Sequence, residues 1–92
     1  MTEGPTPPAL ALRLYIAGET PNSLQALSNL RTLLEGRPHR LEIVDVLLFP
    51  ERALEEGVFV TPTLVRVSPE PERSIVGSLT PPYSVLAVLL GT

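Results

Sequence analysis

The side chains able to do chemistry are few and scattered. One histidine, His39, stands between Pro38 and Arg40, and there is no cysteine. Without cysteine the chain has no disulfide, no thiolate nucleophile and no thiolate metal ligand. A lone histidine with no orienting partner makes neither a nucleophilic triad nor a metal centre, so His39 reads as a solvated loop residue. Glu51, Glu55 and Glu56 crowd one short stretch. Their spacing suits the wet face of a helix, with Glu51 favoured by the N-terminal dipole. Thr20 and Ser23 precede an apolar helical stripe, where hydroxyls read as helix caps rather than as a degenerate active site. There is also no glycine-rich phosphate cradle. These residues predict no oxidoreductase, hydrolase or metal-dependent activity, and no cofactor.

The elements that carry these residues can be read from period and punctuation. The chain has 92 residues, enough for one domain with a modest core. Residues 1–8 are polar and proline-rich and read as a flexible tail, leaving 9–92 as the domain. The start has no basic or apolar leader region, and no apolar run approaches the roughly 20 residues of a membrane span. A net charge of −3 without a basic tract argues against nucleic acid. The expectation is a cytoplasmic protein with no membrane partner.

In "LALRLYIAG", Leu10, Leu12, Leu14 and Ile16 share one face of a strand ended by Gly18. Leu24, Leu27, Leu30 and Leu34 then recur at helical spacing. Thr20 suits the N-cap, Pro21 the first turn, and Gly36 the left-handed position past the end. "RLEIVDVLLF" predicts a second strand over 40–49, and "PERALEEG" a short helix from Pro50 to Gly57. "FVTPTLVRVS" predicts a third strand over 59–68, "SPEPE" a turn, and "RSIVGSLT" a fourth strand. "TPPYSVLAVLLG" predicts a closing helix, with Thr80 as N-cap and Val85, Val88 and Leu89 in one stripe. The order is βαβαββα. A crossover helix makes the first two strands parallel, and the short turn makes the last two an antiparallel hairpin. That describes an α/β three-layer sandwich of the thioredoxin-like kind, with a mixed sheet ordered 2-1-3-4.

Pro62 opens the third strand, although proline cannot donate to a sheet ladder. In thioredoxin-like folds a proline in this place is cis, and Thr61-Pro62 is expected to be so. Redox members set a Cys-x-x-Cys pair against that proline. Here Thr20-Pro21-Asn22-Ser23 holds the same spacing. Two readings of Pro62 stand side by side, a switch residue and a plain strand-entry bend.

"LYIAGETPNSLQALSNL", "EIVDVLLFPERALEEG" and "TPTLVRVSPEPERSIVGSL" resemble the KaiB family of the cyanobacterial circadian clock, from about Leu12 to Leu90. The resemblance implies a binding protein rather than an enzyme. Family members dock on a hexameric RecA-like ATPase, KaiC, and then engage other clock proteins, here KaiA-like or histidine-kinase partners. It also implies two folds for one sequence, a thioredoxin-like monomer and a tetramer-type ground state with a repacked C-terminal half. The thioredoxin-like monomer is expected to dominate here. Ala87 and Leu89 favour the closing helix where clock-type members tend to carry Gly and Asp, which are poorer helix formers. Thr61, Pro62, Ala87 and Leu89 are thus the fold-switch candidates.

Basic residues that the family tends to carry are replaced here by Gln25, Ser28, Glu42 and Val58, which predicts weak affinity for a typical KaiC. The partner surface is expected at the strand-two edge, Arg40 and Glu42, and around Val58 and Phe59. Arg40, Glu42 and Asp45 either protect that edge or frame a docking site. Two alternatives remain: a thioredoxin-fold enzyme working without cysteine, and a divergent paralogue or kinase-sensor-like module outside the clock.

Overall fold

The computed structural model describes residues 10–79, 85 and 87–89. The leading strand, β1, spans Leu10–Ile16 and is followed by helix α1, Pro21–Leu34. Strand β2 is His39–Asp45, helix α2 is Pro50–Glu56, and strands β3 and β4 are Thr63–Ser68 and Arg73–Val76. Val85 and residues 87–89 are helical, as expected for the closing element, while Thr80 and Pro81 lie outside the described residues. The predicted tail over 1–8 lies outside them too.

The sheet order is β2-β1-β3-β4. β1 runs parallel to β2, with Leu12 opposite Leu41 and Arg13 opposite Glu42. The β1–β3 and β3–β4 pairs are antiparallel. The fold is therefore thioredoxin-like, as the element order predicts.

Alternation in β1 splits the core between two faces. Leu10, Leu12 and Leu14 pack with Ala26, Leu30 and Leu34 of α1, with Leu64 of β3, and with Val85 and Leu89. Tyr15 faces the other way and packs with Val44 and Val65 beneath α2, with Val58 and Val67 half-buried around them. Prolines start both helices. Gly57, with φ of 78°, ends α2 in the left-handed conformation that glycine adopts without strain.

Three strand boundaries fall short of expectation. β2 stops at Asp45 rather than Phe49, because Asp45 turns the chain. Its carboxylate Oδ1 accepts N–H bonds from Leu47 at 2.9 Å and from Gly18 at 3.1 Å. Its carbonyl accepts from Phe49 at 2.9 Å and Leu48 at 3.1 Å. Apolar residues 47–49 thereby leave the sheet. β3 begins at Thr63, after Pro62, which has no N–H for the ladder; the Thr61-Pro62 peptide is cis, as expected. Ser68-Pro69 and Glu70-Pro71, in the turn, are cis as well. β4 ends at Val76. Gly77 follows with φ of 113°, and Leu79 takes a left-handed φ of 68° to bury its side chain.

Candidate functional site

The hydroxyl pair and the single histidine stand apart from the two partner patches, while the carboxylate cluster is tied to one of them through Arg13. Thr20 occupies the N-cap position of α1, but its hydroxyl makes no bond to the helix backbone. It donates instead to Ser23 Oγ at 2.8 Å, and Ser23 Oγ accepts the Ala17 N–H at 3.2 Å. The expectation of side-chain caps is corrected here. Ser23 takes Thr20's bond, and together they tie α1 to the end of β1. Ser23 is buried, and its bonds join it to Thr20 and Ala17 rather than to a base that could activate it. His39 is exposed at the start of β2, and its Nδ1 lies 2.7 Å from the Arg37 carbonyl, which makes Nδ1 the donor. Among the described residues no three His, Asp or Glu side chains converge as metal ligands would.

The expected wet row of glutamates is also corrected. Glu51 and Glu55 are exposed, but Glu56 turns inward, and Arg13 Nη1 donates to its Oε1 at 3.0 Å. Arg13 Nε donates at 2.8 Å to Glu42 Oε1, which also accepts from Arg52 Nη2 at 2.9 Å. Arg13 thus joins edge strand β2 to the end of α2. The hydrogen bonds from Arg52 and then Arg13 hold the Glu42 carboxyl below the usual glutamate range. Glu72 behaves oppositely. A side-chain hydrogen bond with Glu56 favours its protonated form and raises its pKa, a shift that burial reinforces.

Alternation puts Arg40, Glu42 and Val44 on one face of β2, the face that α2 covers. Val58 half-buries beside Val44, and Phe59 projects from the following loop, 83% exposed. The two predicted patches therefore share one face of the sheet. Asp45, the last residue of edge strand β2, accepts backbone N–H bonds from Gly18 and Leu47 and so caps the β2–α2 loop. A cleft of about 310 Å³ opens beside Phe59, lined among others by Gly57, Thr63, Ser74 and Val76, with Glu56 and Glu72 also in its wall. Leu47, Leu48 and Leu54 on and before α2 are each about 70% exposed. The fold-switch candidates lie elsewhere. Pro62 is buried at the entrance to β3 with Thr61 half-buried beside it, Leu89 is buried against the α1 face, and Ala87 faces outward. Sequence reasoning missed Arg13, Arg52 and Arg66. The first needed the β1–β2 register, the second the placement of α2 against β2, and the third the position of the closing helical segment.

The family model for the KaiB domain matches residues 13–90. The chain belongs to the KaiB family. The circadian clock oscillator protein KaiB of Gloeothece citriformis is 45% identical over 78 residues, which cover 82% of this chain and 74% of that one. The corresponding protein of Prochlorococcus marinus strain MIT 9312 is 44% identical over the same shares. Among solved structures, the N-terminal domain of Synechococcus elongatus SasA superposes with a TM-score of 0.78 at 20% identity, covering 100% of this chain and 93% of that one. Mitochondrial thioredoxin 3 of Saccharomyces cerevisiae gives 0.76 at 18% identity, covering 92% and 80%. At such identities the structural likeness speaks for the fold.

Proposed function

We propose that this KaiB-family chain is a non-enzymatic regulator that binds, as a thioredoxin-like monomer, to a KaiC-type RecA-like ATPase. The observation that carries the reading is the α2 face. It combines exposed Leu54 of α2 and Phe59 just after it with the Glu42–Arg13–Glu56 network, whereas the opposite face carries the large core under α1. An apolar patch rimmed by fixed charge is the anatomy of a protein interface. Arg40, Glu42, Val58 and Phe59 are the contacts assigned to it. KaiA-like or histidine-kinase partners would follow at the β2 edge, whose outer ladder groups can accept an added strand.

The test is titration of a KaiC-type hexamer with the wild-type chain and with Val58→Lys. The wild type binds weakly. A lysine at this half-buried, loop-borne position tightens binding by about tenfold, the scale of one charge-assisted contact. Tight wild-type binding that Val58→Lys weakens would place the interface elsewhere.

A further inference from the structure

Arg66 is the largest side chain among the fully buried ones, at 1% exposure. It sits mid-strand in β3, opposite Leu12 on one side and Arg73 on the other. It shares the α1 face with Leu64, where an aliphatic residue would be expected. A charge this deep requires compensation. Arg66 finds it in carbonyl oxygens from two separate segments. Nη1 donates to Val88 O at 2.8 Å and, more distantly, to Leu89 O at 3.5 Å. Nη2 donates to Pro71 O at 2.8 Å. The first arm holds the closing helical segment, and the second holds the β3–β4 turn. A planar guanidinium is rigid, so the two arms cannot move independently.

We infer that Arg66 is a latch that makes the closing helical segment and the β3–β4 turn dock and release as one unit. Releasing either segment takes carbonyl acceptors away from the buried guanidinium, which penalises opening one alone. The turn residue after Pro71 is Glu72, which lines the cleft on the α2 face together with Arg73. The latch therefore connects a segment packed on one face of the sheet to the wall of a cleft on the other. Movement of the turn by anything seated in that cleft would be felt at Val88 and Leu89. This inference stands on its own geometry and does not depend on which partner the chain binds.

Amide hydrogen exchange resolved by NMR tests it in the full chain. In Arg66→Lys, one ammonium cannot serve both segments, and in Arg66→Met neither is served. Exchange at residues 87–89 and at 72–73 should rise together by about tenfold or more, while Leu14 and Tyr15 in β1 keep their wild-type protection. Acceleration of one segment without the other, or of all amides uniformly, would overturn the latch. A measurement on the wild type guards against variants that fail to fold. With both Nη groups held, the Arg66 guanidinium should give separate, slowly exchanging Nη signals. A single averaged signal would overturn the proposal equally.

Discussion

On the α1 face of the sheet, buried side chains from β1, α1, β3 and the closing helical segment form one continuous cluster, whereas on the α2 face the buried apolar cluster among the described residues is small, Tyr15, Val44 and Val65. Both faces begin from the same alternating strands. The difference lies in the cover. α1 has 14 residues and α2 has seven, so α2 spans only part of its side. The exposed leucines, the Arg13 network and the cleft beside Phe59 occupy what α2 leaves open. One face thus supplies stability, and the other is free to carry a binding surface.

The largest effect that would sharpen this contrast comes from truncating a leucine on each side. Leu30 is fully buried on the α1 face, and Leu48 is 70% exposed before α2. Leu30→Ala should cost about 2–5 kcal/mol through lost contacts and a cavity. That is a large part of the 5–15 kcal/mol typical of whole proteins. Leu48→Ala should stay within about 0.5 kcal/mol. Urea unfolding followed by circular dichroism measures both. Equal losses would mean that the α2 face is sealed after all.

A smaller effect is expected at Asp45, which shapes the loop carrying residues 46–49 from β2 into α2. Asp45→Ala removes the acceptor of two backbone N–H groups, those of Leu47 and Gly18. The cost should be about 1–3 kcal/mol, with Asp45→Asn keeping part of it through its amide oxygen. Hydrogen exchange should quicken in the loop over 46–49 and not at Leu30 or Leu34 of α1. Loss of protection on both faces would show that the loop supports the main core.

The parts of this architecture set by local rules are legible in the sequence. Pro21 and Pro50 start helices, Gly57 ends one, β1 alternates, and the crossover order leads to a 2-1-3-4 sheet. Asp45 defeated the reading of β2 because Val46–Phe49 is as apolar as any strand. Only the side-chain turn at Asp45, not hydrophobicity, removes it from the sheet. Thr20 and Ser23 have cap-forming types at cap-forming spacing, yet each hydroxyl found the other. The Arg13–Glu42 pair spans 29 residues and follows from parallel register, which no short window contains. Nothing within "TLVRVS" marks Arg66 as buried, because its partners are carbonyls brought by a turn and a distant helical segment.

The smallest expected effect separates the faces by pH. Among the described residues, the two glutamates with perturbed acidity, Glu42 and Glu72, belong to the α2 face, and their shifts have opposite signs. Glu42 titrates below its ordinary value of 4.5 because hydrogen bonds from Arg52 and Arg13 favour the carboxylate. Its stabilising contribution is complete above that ordinary value and is lost as pH falls through the lowered one. Glu72 titrates above 4.5 because its hydrogen bond with Glu56, aided by desolvation and the Glu56 charge, favours the acid form against the weaker pull of Arg13. It therefore penalises folding above its raised value, and the penalty is relieved as pH falls from there to the ordinary one. Both side chains are solvent-accessible, so each contribution should stay within about 1 kcal/mol. Carbon-detected NMR titration of the side-chain carboxyls should resolve the two midpoints on either side of 4.5. Glu56→Gln should bring Glu72 down toward its ordinary value and leave Glu42 low. Arg52→Gln should raise Glu42 and leave Glu72 high. Coincident midpoints in the wild type would dissolve the charge network on this face and, with it, the electrostatic half of the contrast between the two sides of the sheet.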